Sequence, residues 1–128
     1  MLKNLVSYFA LVYFVFNAPI SFAEELTKNA ANSTKRIPQF VNKKVAVWET
    51  IIAPGKNKIL KMHRHDKDRV IVALGEGLLK VTNDKGEIHF LKLEKNKAYF
   101  LEKDVPNELH NDQNMTTNPI RVLVIELQ

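Results

Sequence analysis

Two histidines stand one residue apart in the segment KMHRHDKDRVIV, residues 61–72, of a chain that contains four histidines in all. If this segment is a β-strand, His63 and His65 project from the same side, because alternate side chains of a strand share a face. Two imidazoles placed in this way can bind one transition-metal ion. A histidine pair on a surface strand also occurs without any metal. The pair is therefore a weak signal on its own, and a metal site requires at least one further ligand.

The other two histidines differ in how well they could supply that ligand. His110 lies in the segment VPNELHNDQN, after a proline-containing loop and before the β-rich C-terminus. It is the candidate for the third ligand. His89 stands between Ile88 and Phe90 on an expected sheet strand, with no second ligand near it in sequence. We interpret His89 as a structural residue.

The elements that would position these side chains are short β-strands. From residue 39 onward, segments rich in β-branched residues alternate with turn signals such as PGKN and DKG. No segment beyond residue 39 has a sustained helical period. The pattern predicts an all-β domain of about eight short antiparallel strands, arranged as a sandwich or barrel.

The N-terminus has the layout of a secretory signal peptide. A single positive charge at Lys3 precedes an apolar run from Leu5 to Phe16, and small residues follow at Ser21 and Ala23. The apolar run is shorter than the roughly 20 residues that span a bilayer. We expect cleavage after Ala23, a polar lead-in at 24–38 and a domain at 39–128. This predicts export to the periplasm or the medium, with no membrane association after cleavage.

The composition excludes several classes of function. The chain has no cysteine, which removes disulfides, thiolate nucleophiles and cysteine zinc sites. Its 19 basic and 14 acidic residues are interspersed along the chain. A nucleic-acid partner would require a concentrated basic stripe with stacking aromatics, so none is expected. The phosphate-binding, dinucleotide-binding and serine-nucleophile motifs are also absent.

Taken in order, the segments PGKNKILKMHRHDKDRVIVALGEGLL and VPNELHNDQN resemble the two motif regions of the cupin superfamily. The resemblance covers roughly residues 45–127. It implies a double-stranded β-helix, that is, a jelly roll closed into a barrel, with a metal held by the histidines of the two motifs. The matching positions are the first-motif glycine Gly55, the histidines His63 and His65, a closing glycine at Gly75 or Gly77, and His110 and Asn114 of the second motif.

The chain departs from the cupin pattern at two functional positions. The first motif places a metal-binding glutamate after three or four residues that follow its second histidine, where this chain has Arg69 or Val70. Neither side chain binds a cation. In the second motif Asn107 takes the place of a glycine, and asparagine can adopt the same left-handed backbone. The histidine part of the expected site is therefore present without its carboxylate.

Three interpretations of this site stay open from the sequence. In the first, the three histidines hold a metal alone and Arg69 binds a substrate carboxylate. In the second, Asp66 or Asp68 replaces the glutamate. In the third, no metal binds, Arg69 supplies the positive charge, and the barrel takes a small anion or only packs. If Arg69 shares the inward face of Ile71 and Ala73, it must find a buried partner.

The resulting prediction is an exported small cupin-like domain. It binds a divalent metal (Fe, Zn, Ni, Cu or Mn), a small anionic molecule, or both, through His63, His65 and His110. The alternatives are a dioxygenase-like metal enzyme and a metal-free structural module, and no catalytic residue can be assigned. Glu102 and Asp104 precede the second-motif loop and could line the rim of the site, but a surface position is expected for both. The resemblance also suggests a homodimer, in which residues 38–41 could form a swapped strand.

Overall fold

The computed structural model describes Ser21 and residues 32–128. The predicted signal peptide, apart from Ser21, and residues 24–31 of the predicted lead-in lie outside the described residues. Signal cleavage, export and the boundary at Ala23 therefore stay predictions of the sequence. Over the described residues, no helix is long and apolar enough to cross a membrane.

The described chain folds into two antiparallel sheets that face each other, and it contains no α-helix there. The first sheet has five strands in the order β1 (Lys35–Val41), β2 (Val45–Ile52), β9 (Ile120–Leu127), β4 (Arg69–Ala73) and β7 (Ala98–Leu101). The second has four, in the order β3 (Leu60–His63), β8 (His110–Asn114), β5 (Gly77–Asn83) and β6 (Ile88–Leu93). Strands distant in sequence are neighbours in both sheets. This confirms the predicted all-β jelly-roll architecture.

Residues 32–128 form nine strands where the sequence predicts about eight, and the polar strand β8 explains part of the difference. Its sequence, HNDQN, contains no β-branched or apolar residue, so intrinsic β-propensity gives no indication of a strand. It forms because β3 and β5 flank it and pair with it on both sides. At the other end, β1 begins at Lys35, four residues before the predicted domain start at residue 39.

The core lies between the two sheets and is built from alternate residues of their strands. In β5 the alternation is complete: Leu79 and Val81 are buried, and the residues between them are partly exposed. The largest fully buried side chains are Ile52, Leu93 and Ile120. Burying one such side chain stabilises a fold by about 1.5–3 kcal/mol. With no disulfide available, this apolar layer holds the barrel together.

The buried amide of Asn114, the second-motif asparagine, ties three segments together. Its Nδ2 donates to the carbonyl oxygens of Ile52 at 2.9 Å and Asn118 at 2.7 Å. Its Oδ1 accepts from the backbone N–H and the hydroxyl of Thr116 at 2.8 and 2.6 Å. Asn114 therefore satisfies its hydrogen-bonding capacity within the protein, and its function in the fold is structural.

Gly77 is the closing glycine that the fold requires, whereas Gly75 has open space around it. A Cβ at Gly77 would lie 2.5 Å from Cγ1 and 2.7 Å from Cδ1 of the buried Ile120. We expect Gly77→Ala to lower the free energy of unfolding by about 1–3 kcal/mol, the usual cost of overpacking. Urea denaturation would measure this. Gly75→Ala is the matched control and should change stability little; equal losses in the two variants would contradict the assignment.

Candidate metal centre

The three predicted ligand histidines meet at one end of the barrel. His63 on β3 and His110 on β8 are direct partners across the antiparallel strand pair, with ring centroids 4.4 Å apart. His65 lies just beyond the end of β3, and its ring centroid is 5.0 Å from that of His63 and 5.6 Å from that of His110. One nitrogen from each ring lies within 4.8 Å of the other two. This spacing lets a single ion contact all three rings.

The ring of His63 is oriented for a metal by its own strand. Its Nδ1 is 2.6 Å from the carbonyl oxygen of Lys61. A carbonyl can only accept, so Nδ1 carries the proton and Nε2 carries the lone pair. That Nε2 is buried and has no hydrogen-bond partner. Buried polar atoms are almost always paired, so a lone pair left free and directed into the site fits a metal ion.

Asp104 positions the other two histidines. Its Oδ2 accepts from the backbone N–H of His65 at 2.6 Å, and its own N–H donates to the carbonyl oxygen of His65 at 2.8 Å. This pair of bonds fixes His65 although the residue has left the strand. The same Oδ2 lies 3.4 Å from Nδ1 of His110. A carboxylate at one ring nitrogen leaves the other available as a metal ligand. The expected surface placement of Asp104 is therefore wrong.

Arg69 points into the barrel on the same face as Ile71 and Ala73, and only 7% of the residue is exposed. It finds the partners that such burial requires. Its guanidinium donates to the carbonyl oxygen of Glu102 at 3.1 Å and lies 3.5 Å from Oδ1 of Asp104. Part of its hydrogen-bonding capacity is thus used within the protein. Its proposed contact with a substrate carboxylate stays a prediction.

Sequence reasoning missed a second carboxylate in the site, Asp112. Its Oδ2 lies 3.7 Å from Nε2 of His63, and its Oδ1 lies 3.9 Å from Nε2 of His110. Strand alternation could have found it, because Asp112 lies two residues after His110 and shares its face. Asp66 and Asp68 are not in the site. Asp66 pairs with Arg64 at 2.5 Å, and Asp68 accepts from the backbone N–H of Lys103 at 2.8 Å.

Burial keeps all three imidazoles neutral, as metal ligands must be. It lowers the pKa of His63, and it lowers the pKa of His110 to about 4. The pKa of His65 falls to about 2 because the nearby Arg69 cation adds to the effect of burial. The opposite holds for Asp112, since burial raises the pKa of this carboxyl to about 6. The site thus offers uncharged nitrogen donors and one carboxyl that ionises near neutral pH.

These shifts predict that acid destabilises the metal-free protein. A histidine with a lowered pKa accepts a proton first in the unfolded chain, so its stabilisation is lost as pH falls below the usual 6.5. The raised pKa of Asp112 has the opposite effect, because this carboxyl stabilises the folded protein as the pH falls from about 6 to 3.8. The three histidines together outweigh this single carboxyl. We expect the urea midpoint to fall between about pH 7 and about pH 5. The decrease should be smaller in His110→Gln, and an equal decrease would contradict this origin.

A cavity of about 720 Å³ opens beside the histidines, within the usual size range of small-molecule sites. His65, His110, Arg69 and Asp112 line it, and most of the remaining wall is apolar. His89 also lines the cavity but is not part of the three-histidine cluster. The loop after β7 brings Asp104 to this wall. Asn107 in that loop has φ of +63°, which confirms the left-handed backbone predicted at the glycine position.

Proteins similar to this chain are found among solved structures. No family model and no curated protein matches the chain. A cupin domain from Bordetella pertussis is similar to it with a TM-score of 0.65 and 25% identity, over 75% of this chain and 94% of that one. An RmlC-like cupin from Methanocaldococcus jannaschii has a TM-score of 0.56 and 11% identity, over 95% of this chain and 93% of that one.

A third solved structure, the cupin domain of Cnp3 from Schizosaccharomyces pombe, has a TM-score of 0.54 and 10% identity, over 92% of this chain and 74% of that one. The two neighbours of low identity show the fold alone. The Bordetella pertussis domain adds a sequence identity of 25% over nearly its whole length. With its double-stranded β-helix fold, and with histidines at the cupin motif positions, the chain belongs to the cupin superfamily.

Proposed function

We propose that this protein binds one divalent transition-metal ion through His63, His65 and His110 and holds a small organic molecule beside it in the barrel. The observation that carries the proposal is the buried, unpartnered Nε2 of His63. The neutral imidazoles of His65 and His110 each place a nitrogen within 4.8 Å of a ring nitrogen of His63. Imidazole donors favour Zn, Cu, Fe and Ni, and a carboxylate ligand would also suit Mn.

The charges around the histidines support a cation despite the arginine. Arg69 alone would disfavour a divalent ion, but it lies beside Asp104, which offsets its charge. Asp112 adds a carboxylate 3.7 Å from the free nitrogen of His63. Asp112 could therefore serve as a fourth ligand in place of the glutamate that Arg69 replaces. A bound ion would supply Lewis acidity to a molecule in the cavity.

The test is metal analysis of protein purified without a histidine tag. We expect about one equivalent of a transition metal per chain, or restoration to that level by dialysis against Zn²⁺ or Fe²⁺. Asp112→Asn should weaken metal binding about 10–100-fold, the range for carboxylates that ligate or orient ligands. Asp66→Asn is its matched control and should have no effect. A wild-type protein that neither contains nor takes up metal would refute the proposal.

A metal-dependent enzyme is the second candidate, and the cavity is the observation that favours it. Three nitrogen ligands leave coordination positions open to solvent or substrate. The cavity next to them can hold a molecule of small-metabolite size. Oxygen consumption by iron-loaded protein in the presence of a carboxylic acid would support an oxidising enzyme, and binding without turnover would favour the binding function.

Export is proposed on the sequence of the first 23 residues. The mature protein would then begin at Glu24 and work in the periplasm or the medium. The intact mass of the protein recovered from cells expressing the full chain would measure this, since cleavage after Ala23 leaves 105 of the 128 residues. Recovery of the uncleaved chain would contradict the proposal.

A further inference from the structure

The cavity has a second arginine, Arg36, that the cupin motifs do not include. It lies on β1, opposite Thr50 of β2, and both residues line the cavity. Arg36 therefore enters the site from a strand that the sequence assigns to the lead-in. Its positive charge acts on His63, His65 and Asp112, which places it near the metal end of the cavity.

The guanidinium of Arg36 is held over an aromatic ring rather than by an acidic side chain. Its Cζ lies 5.6 Å from the ring centroid of Trp48, the distance of a cation–π contact. The ring is itself fixed, because Nε1 of Trp48 donates to the hydroxyl of Thr50 at 3.1 Å. Stacking leaves the N–H donors at the edge of the guanidinium free to bind an anion.

Arg36 and Arg69 differ in the partners that they already have. Arg69 is buried and bonds to Asp104 and the carbonyl of Glu102. In the part of the chain that the structure describes, no carboxylate lies within 4.0 Å of Arg36. Arg36 is also exposed, so a ligand can reach it from solvent without displacing a protein group. Of the two cavity arginines, Arg36 is the one available to an incoming anion.

The far side of the cavity is apolar and open. Leu91 on β6 and Leu101 on β7 line it from the inward faces of their strands, where they pair with Leu79 and Arg69 respectively. Both leucines are partly exposed, and Val105 in the following loop also lines the cavity with 60% of the residue exposed. β7 and β1 are the two outer strands of the five-stranded sheet. Four strand spacings, roughly 19 Å along the sheet, separate these two strands. A molecule that contacts both sides must be elongated.

We infer that the cavity binds an amphipathic carboxylic acid, with its carboxylate on Arg36 and its hydrocarbon body along the apolar wall towards Leu91 and Leu101. This inference rests on the proposed small-molecule site in the barrel and names its ligand class. The carboxylate matches the free donor edge of Arg36. The hydrocarbon body matches the apolar wall and covers side chains that are otherwise partly exposed to water.

The experiment is calorimetric titration of octanoate, octanamide and butyrate into metal-free and zinc-loaded protein. Octanoate should bind, whereas octanamide lacks the charge and butyrate lacks the apolar body, so both should bind at least about tenfold more weakly. Arg36→Gln should weaken octanoate binding by about tenfold and leave octanamide unchanged. Lys35→Gln is the matched control, since this neighbouring cation lies on the opposite face of β1 and should bind octanoate normally.

The apolar wall is tested separately with Leu91→Ala. This variant should weaken octanoate binding several-fold and leave butyrate binding unchanged, whereas Phe90→Ala, on the outer face of β6, should bind octanoate normally. Equal affinity of wild-type and Arg36→Gln protein for octanoate would overturn the inference, as would equal affinity for octanoate and octanamide. If no metal binds but octanoate binding still depends on Arg36, the metal proposal fails and the ligand assignment is supported. If octanoate binds only through zinc, and equally to Arg36→Gln, the ligand assignment fails alone.

Discussion

Replacement of His110 by alanine should lower the affinity for Zn²⁺ by more than about 100-fold, beyond the range seen when only a residue that orients a ligand is lost. His110 is the one cluster member supplied by a strand distant in sequence, and its ring centroid lies 4.4 Å from that of His63. Without it, two imidazoles remain and the ion loses a third of its nitrogen donors. Competition against a chromophoric chelator would measure the affinity.

The matched control for this variant is His89→Ala. His89 lines the same cavity but stands outside the three-histidine cluster. Its replacement should leave the Zn²⁺ affinity within about twofold of the wild-type value. Equal losses in the two variants would mean that the cluster is not the binding site. Circular dichroism of both variants would check that the barrel is intact, since a general loss of fold would also abolish binding.

Replacement of Asp104 by alanine should destabilise the metal-free protein by about 3 kcal/mol, the lower end of the cost of leaving a buried charge without its partner. Asp104 lies 3.5 Å from the buried guanidinium of Arg69 and accepts the backbone N–H of His65 at 2.6 Å. The variant removes both contacts at once. Urea denaturation in the presence of a chelator would give the free energy of unfolding.

A double-mutant cycle with Arg69→Met separates the two contacts of Asp104. Arg69→Met with Asp104→Ala leaves no unpaired charge, so the double variant should be more stable than Asp104→Ala alone. The loss of unfolding free energy that remains in the double variant would measure the hydrogen bond between Asp104 and the backbone N–H of His65. If the double variant is instead as unstable as the sum of the two single losses, the guanidinium and the carboxylate do not interact. Asp104→Ala should also weaken metal binding by about tenfold, because His65 and His110 lose their orienting group.

Much of the architecture follows from local patterns in the sequence. Turn residues such as those around Gly55 and Gly86, which have φ of +115° and +82°, mark the ends of strands because few other residues adopt that backbone. Alternating apolar residues in β5 identify the face that packs in the core. The polar strand β8 escaped prediction because its own residues have low β-propensity, and only its neighbours β3 and β5 hold it in the sheet.

Some residues of the candidate site could likewise be identified from the sequence, and others could not. Strand alternation and the order of the two motifs were enough to select His63, His65 and His110, and alternation from His110 would also have selected Asp112. The sequence could not locate Asp104, because it lies in a loop with no periodicity and its role depends on where that loop crosses His65. The open interpretation in which Asp66 or Asp68 replaces the glutamate is not supported, since Asp66 pairs with Arg64 and Asp68 accepts a hydrogen bond from the backbone N–H of Lys103.

By itself, the sequence determined the fold class, the three histidines of the candidate site and the absence of thiol chemistry, since these depend on residue types, strand periods and the order of the two motifs. Only the tertiary structure decided which way Arg69 points, which carboxylates face the histidines, and that Arg36 of β1 lines the cavity. Those features depend on contacts between segments far apart in sequence, and the packing of the two sheets sets them, so no local pattern records them.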